Sequence, residues 1–208
     1  MRLDDALLYL VTPARIAAGD VAGMVTELKE AGVDLLQLRE KDMEAGDLIR
    51  AGEPIRDACR AAGVPFIVND RPDVALALEA DGVHVGQNDL SAQVARRILG
   101  AKIVGASTHT TEEIDDAMED MPDYVAVGPV YETPTKPGRP AVGLDLIAYA
   151  ARTVTLPWFA IGGVNADTLD EVLGAGARRV VVVRAITEAK DPAAAARSLR
   201  DRLEQPRR

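Results

Sequence analysis

The sequence predicts an α/β protein folded as a single-domain TIM (β/α)8 barrel over residues 1–208, and three observations predict it. Eight short apolar, β-branched runs punctuate the chain, from "LLYLVT" to "VVVVRAI". Helix-patterned stretches separate them, and strands apolar on both faces alternating with helices argue a parallel sheet covered by helices. Most of the runs also stop at residues able to do chemistry: "FIVND" ends on Asn69 and Asp70, and "GVHVG" leads into Gln87, Asn88 and Asp89. In a barrel of this kind the active site sits at the C-terminal ends of the strands. Eight units argue closure. The alternative is an open sheet, but no G-x-G-x-x-G follows the first strand to support a dinucleotide fold.

The elements follow in order. "LLYLVT", 7–12, is the first strand, and Asp20 is placed to cap a helix ending near Gly32. "LLQLRE", 35–40, is the second; Met43 to Ala62 reads as a long helix with Pro54 as an interruption. "FIVND", 66–70, is the third, and Pro72 opens a short helix where its missing N–H costs nothing. The fourth is "GVHVG", 82–86, followed by a helix capped by Ser91 and running to Leu99. "IVGAS", 103–107, is the fifth, with a helix from Thr111 to Met118, and "YVAVGPV", 124–130, is the sixth. The segment Tyr131 to Gly143 is the longest without periodicity, and a loop of that length in a compact domain marks function or disorder. A helix from Leu144 to Ala151 precedes "WFAIGG", 158–163, the seventh strand. A helix from Ala166 to Ala175 precedes the eighth, 180–186. Asp191 caps the last helix, and the tail from about 204 reads as frayed.

Composition bounds the function. At 208 residues the chain is near the lower limit for eight βα units. Its 48% hydrophobic and 3% aromatic content leaves the core to branched aliphatics. A net charge of −9 argues against nucleic acid, whose binding needs a basic surface. It also means that an anionic substrate must be met by local cations or a metal. The single cysteine, Cys59, has no partner for a disulfide and no metal-ligand spacing, so it reads as a buried small hydrophobe in a reducing compartment. With no basic-then-apolar N-terminus and no apolar run of membrane-spanning length, the expected location is cytoplasmic, with no membrane partner.

Two carboxylates follow adjacent strands, Asp70 after the third and Asp89 after the fourth. Neighbouring strands lie about 4.8 Å apart, so both can reach one Mg²⁺, which is held by one or two carboxylates plus substrate phosphates. Each alone fits an N-cap as well. In "QLREK", Gln37, Arg39 and Lys41 alternate and leave the strand on one side, while Leu36 and Leu38 take the other. Lys136 lies on the long loop with Thr133 and Thr135. Arg71 can join these cations or pair with a helix carboxylate. Gly162 and Gly163 end the seventh strand, and the loops after strands seven and eight often hold phosphate on backbone N–H groups; a tight turn is the other reading. Among the polar residues of the fifth strand end, Ser107 can donate to a diphosphate oxygen and His109 is a candidate base. His84 reads as a hydrogen-bonded core residue. Two anion sites emerge, a monophosphate grip near Gly163 and Val183–Arg184 and a metal-assisted polyphosphate site near Asp70 and Asp89. Two phosphate devices suggest two phosphorylated substrates and a group transfer.

In sequence order, "LLQLREK", "FIVNDRPDVALALEADGVHVGQNDL", "GASTHT", "VAVGPVYETPTK" and "AIGGV" resemble the thiamine-phosphate synthase (thiamine-phosphate pyrophosphorylase) family. The resemblance runs from "YLVT" to "RAITEA". It implies a TIM-barrel transferase that joins hydroxymethylpyrimidine diphosphate to thiazole phosphate, giving thiamine monophosphate and diphosphate. Carried over, the segment Gln37, Leu38, Arg39, Glu40, Lys41 contacts the pyrimidine diphosphate together with Asn69, Ser107 and Lys136. Lys136, Arg39 and Ser107 take the catalytic roles. Asp70 and Asp89 hold one Mg²⁺ per site. Thr133, Pro134, Thr135, Gly163, Val183 and Arg184 hold the thiazole phosphate. The implied mechanism is dissociative: diphosphate leaves first and the thiazole nitrogen captures a pyrimidine carbocation. One departure stands out, because the family commonly reads Val-Ser-Ala-Ile where this chain has Val183-Arg184-Ala185-Ile186. The alternatives are a thiazole tautomerase-like paralogue, a non-catalytic phospholigand-binding barrel, and a phosphosugar isomerase or epimerase. The apolar content of the helices makes a homodimer the expected assembly.

Overall fold

The computed structural model describes residues 3–134, 138 and 140–205. Eight parallel strands close on themselves: β1 (Leu8–Thr12), β2 (Leu35–Leu38), β3 (Phe66–Asn69), β4 (Gly82–Val85), β5 (Ile103–Thr108), β6 (Tyr124–Val127), β7 (Trp158–Ile161) and β8 (Val180–Val182). Each pairs with its sequence neighbour, and β8 returns to β1 with Tyr9 beside Val181. The helices α1 (Val25–Glu30), α2 (Ala45–Ala62), α3 (Pro72–Ala77), α4 (Ala92–Leu99), α5 (Thr111–Asp120), α6 (Gly143–Thr153), α7 (Leu169–Gly174), α8 (Arg184–Thr187) and α9 (Pro192–Leu203) surround them. The predicted barrel is the observed one.

Strand alternation sorts the apolar residues into two cores. Leu8, Leu10, Leu36, Leu38 and Val68 point outward and pack under the helices. Tyr9, Leu35, Ile67, Tyr124, Phe159 and Val181 point inward and fill the barrel axis. Three aromatic rings in that inner cluster meet edge to face, with Tyr9, Tyr124 and Phe159 centroids 5.5–5.7 Å apart, a geometry that aromatic quadrupoles favour. Cys59 is fully buried among the outer apolar side chains, and burial pushes its thiol up to about 12, as befits an inert packing residue.

Several boundaries differ from the sequence reading. The eighth run stays extended only to Val182. Val183 turns at φ −120, ψ −89, and its carbonyl accepts from the Ile186 and Thr187 N–H groups, so Arg184–Thr187 is helical. The sixth strand ends at Val127 because Gly128–Pro129 follows, and proline has no N–H for the ladder. Asp20 caps no helix; its carboxylate takes the Arg15 guanidinium at 2.6 Å, and a 3-10 turn over Val21–Met24 precedes α1. Pro54 does not break α2, since both it and Arg50, whose carbonyl it leaves without a donor, lie on the exposed face. The Ser91 and Asp191 caps are present: Ser91 Oγ accepts from Val94 N and Asp191 Oδ1 from Ala194 N at 2.9 Å. Asp191→Ala is expected to cost about 1 kcal/mol, lowering the melting temperature by roughly 3 °C, as a calorimetric scan will read.

The floor of the barrel is tied by one carboxylate. Asp34 Oδ2 accepts from Leu7 N, Leu8 N and Arg200 Nη1, so the start of β1, the entry to β2 and helix α9 meet at one oxygen.

Candidate active site

Parallel strands put all eight C-terminal ends on one rim, and the inward position nearest each end faces a cavity of about 760 Å³. Gln37, Arg39, Lys41, Asn69, Asp70, Asp89 and Ser107 line it, and so do Thr133, Pro134, Gly163, Val183 and Arg184. Of the residues singled out in the sequence, Leu38 and Glu40 face elsewhere. The Leu38 side chain is buried beneath the helices, and Glu40 Oε1 accepts from Ala14 N at 2.8 Å. Both alternate with the inward set of "QLREK". Thr135 and Lys136 lie outside the described residues.

The two acidic residues converge. Asp70 follows β3 in the left-handed backbone region, φ 61, which a non-glycine residue enters at a cost of roughly 1–2 kcal/mol. Its N–H donates to the His84 carbonyl of β4 at 2.8 Å, which holds the turn and aims the side chain across to the next strand's loop. There the turn Gly86–Asp89 is closed by Asp89 N on the Gly86 carbonyl and by Gly86 N on Asp89 Oδ2, at 2.9 Å. The carboxyls come within hydrogen-bonding reach of one another. Burial first, and then the Asp89 carboxyl beside it, holds the Asp70 carboxyl above the usual carboxylate range; Lys41, its Nζ 3.4 Å from Asp70 Oδ2, pulls it down. Two hard oxygen donors side by side at a cavity wall could hold a divalent cation. Among the described residues no cluster of three or more His, Cys, Asp or Glu competes with them, and two carboxylates suit Mg²⁺, which takes its remaining ligands from phosphate and water.

The opposite wall is a glycine turn whose backbone could approach an anion, with Arg184 beside it. Gly162 and Gly163 have φ +99 and +70. A Cβ on Gly162 would overlap Pro129, and one on Gly163 would stand 2.7 Å from Tyr131 Cβ. The turn that follows is knotted by Asn165 and Thr168: Asn165 Oδ1 accepts from Asp167 N, and Thr168 Oγ1 donates to the Gly163 carbonyl at 2.9 Å. Sequence reasoning missed both residues, although Asn three places before Thr ahead of "LDEVL" is a helix-start signature. It also missed Tyr9, which lines the cavity two residues before Val11 on the inward side of β1. Arg184 projects into this wall and pairs with Glu188, Nε to Oε1 2.6 Å. Arg71, by contrast, is committed to Asp73 with two hydrogen bonds. His109 Nδ1 lies 2.7 Å from Glu113 Oε2, and His84 is buried as expected, bonded to Tyr124 and Ser107.

The chain resembles proteins of known kind along its length. The family model described as thiamine monophosphate synthase matches residues 8–186. The thiamine-phosphate synthase of Thermobifida fusca is 52% identical over 205 residues, covering 97% of this chain and 94% of that protein. The thiamine-phosphate synthase of Thermus thermophilus is 56% identical over 173 residues, covering 83% and 84%. Among solved structures, a thiamine phosphate pyrophosphorylase from Pyrococcus furiosus superposes with a TM-score of 0.87 at 33% identity, covering 97% of both chains. No described helix is long and apolar enough to cross a membrane.

Proposed function

The chain belongs to the thiamine monophosphate synthase family and is a transferase, and on that premise we propose that it joins hydroxymethylpyrimidine diphosphate to thiazole phosphate in the cytoplasm, releasing diphosphate and thiamine monophosphate. The observation that carries the reading is the meeting of Asp70 and Asp89 on one wall of a cavity whose opposite wall is the Gly162–Gly163 turn. A one-phosphate isomerisation needs only the second device.

Asp70 and Asp89 would hold the Mg²⁺. When bound, the ion acts as a Lewis acid that neutralises charge on the departing diphosphate. The rest of the work belongs to the chain. Arg39 and Lys41 alternate on the same side of the β2 end and bring two cations to an acidic protein's otherwise repulsive mouth. Ser107, 7% exposed, lines the same space. The bond from the pyrimidine methylene carbon to the diphosphate oxygen breaks with its electron pair on oxygen. The cations and the hydroxyl stabilise that oxygen more in the transition state than before it. The thiazole nitrogen then donates its lone pair to the methylene carbon. No proton is abstracted, so no general base is required. That accords with a His109 held against Glu113 and a His84 held between Tyr124 and Ser107. Lys136, on the 131–143 loop, is assigned to the diphosphate by the resemblance alone. The thiazole phosphate is assigned to the backbone of Gly163 and Val183, with Thr133 and Pro134 lining the same cavity.

Arg184 stands where a serine is common in the family. Its guanidinium is exposed and already paired, so its gain for the phosphate is small. Arg184→Ser is expected to raise KM for thiazole phosphate about threefold with kcat unchanged, as initial rates at varied thiazole phosphate will show. The reading as a whole is tested by mixing the protein with both precursors, with Mg²⁺ or with EDTA, and following diphosphate and thiamine monophosphate together. Absence of both products with Mg²⁺ present sinks it.

A further inference from the structure

At the base of the cavity, five polar side chains from five strands form an unbroken chain of hydrogen bonds across the barrel. Gln37 Nε2 donates to the Tyr9 hydroxyl at 2.6 Å, and that hydroxyl meets Tyr124 Oη at 2.8 Å. Tyr124 Oη lies 3.1 Å from His84 Nδ1, and His84 Nε2 lies 2.9 Å from Ser107 Oγ. All five side chains are buried, none more than 7% exposed. Gly105 makes the room, since a methyl at that position would overlap the Tyr124 ring, and the His84 and Tyr124 rings stack at 5.5 Å. Only the two ends, Gln37 and Ser107, belong to the substrate contacts assigned above.

Such a chain has two directions, and the Gln37 end, where an N–H faces the Tyr9 hydroxyl, chooses between them. Gln37 offers an N–H, so Tyr9 accepts there and has its own O–H to give. It gives it to Tyr124, which must then donate to His84 Nδ1. A neutral imidazole accepting at one nitrogen carries its proton on the other, so Nε2–H donates to Ser107 Oγ. Ser107 then keeps its own proton to give, and it lines the cavity. Burial drives both phenols well above the ordinary tyrosine range, so they stay protonated donors.

We propose that Tyr9, Tyr124 and His84 are positioning residues that run this chain in one direction, fixing His84 as the Nε2–H tautomer and committing the Ser107 hydroxyl to donate to an anion in the cavity. The inference rests on the proposed function for the identity of that anion, the leaving diphosphate, but the chain's direction is a property of the free protein. Without it Ser107 is free to present a lone pair to the anion and repel it. The polar core thus pre-organises a donor in the way that outer hydrogen bonds orient metal ligands.

The test has two arms. The sequence contains two histidines, so nitrogen-15 spectra of the wild type and of His109→Asn assign the ring of His84 without substrate. The expected wild-type pattern is Nε2–H, lost or mixed in Tyr124→Phe. An Nδ1–H pattern in the wild type overturns the proposal, whatever the enzyme's activity. In the second arm, Tyr124→Phe is expected to lower kcat about 10- to 100-fold with little change in KM, and to cost nothing further in a Ser107→Ala background. An undiminished kcat, or a loss that multiplies with that of Ser107→Ala, means that the hydroxyl acts through general packing and also overturns it. Tyr9→Phe breaks the same chain one link away and serves if Tyr124→Phe melts early. Failure of the wild type to form product counts against the proposed function and leaves the tautomer result standing.

Discussion

Asp89→Ala is expected to lower Mg²⁺-dependent diphosphate release about 1,000-fold, a loss typical of removing charge stabilisation from a transition state, while the protein still melts cooperatively near the wild-type temperature. The two halves of that expectation have separate causes. Asp89 is exposed on a short turn, and the one described backbone bond of its carboxylate, from Gly86 N, closes only that turn. Truncation therefore opens no cavity in either core. Asp89 is also the neighbour that, after burial, most raises the Asp70 carboxyl, so the metal-free protein sheds a repulsion when it goes. Asp89→Asn keeps the acceptor for Gly86 N and removes the charge, and is expected to lose as much activity. Mg²⁺ should raise the melting temperature of the wild type and leave both variants where they are, as expected when a ligand binds only the native state. Undiminished turnover of either variant with both substrates would remove the metal from this wall.

Gly162→Ala has the largest expected effect on stability. The backbone there sits at φ +99, which costs a side chain roughly 1–2 kcal/mol. The new methyl would also overlap Pro129 Cα and Cβ, and overpacking of this kind costs about 1–3 kcal/mol. Pro129 has little freedom to retreat, because the segment is sewn to β7 by Val130 N on the Ile161 carbonyl, 2.8 Å, and Tyr131 N on the Gly162 carbonyl, 3.1 Å. A total near 3 kcal/mol lowers the melting temperature by roughly 10 °C in a chain of this size. The same displacement moves the Gly163 amide, so KM for thiazole phosphate should rise at temperatures where the variant is still folded. A melting temperature within 2 °C of the wild type, on the ~3 °C per kcal/mol scale, would show that the turn relaxes freely.

The barrel was legible because each strand is a short apolar run with a chemical terminus, and closure followed from counting them. Alternation in "QLREK" separated Gln37, Arg39 and Lys41 from Leu38, and the structure keeps that separation: Leu38 lies under the helices and Glu40 turns to Ala14. Strand adjacency likewise brought Asp70 and Asp89 together from 19 positions apart in sequence. Three things were hidden. Whether "RAI" continues a strand or starts a helix depends on the turn at Val183, which periodicity over three residues does not encode. Asp20 was claimed by Arg15, a tertiary choice that a capping preference does not anticipate. The polar chain under the site needs the lateral register of five strands, with Asn69 beside His84 and Gly105 beside Tyr124, before Tyr9 and His84 are seen to touch anything in common.

The seam between β8 and β1 and the Asp34 oxygen that binds Arg200 have a consequence for biosynthesis. The first strand finds one of its two neighbours 172 positions later, where Tyr9 meets Val181, and the Arg200 latch on Asp34 lies 166 positions downstream of that carboxylate. On a ribosome, which delivers the N-terminus first, β1 emerges with an exposed edge that no early segment of the chain covers. Release of almost the entire polypeptide precedes sealing, so nascent chains stalled before residue 200 should present that edge to chaperones.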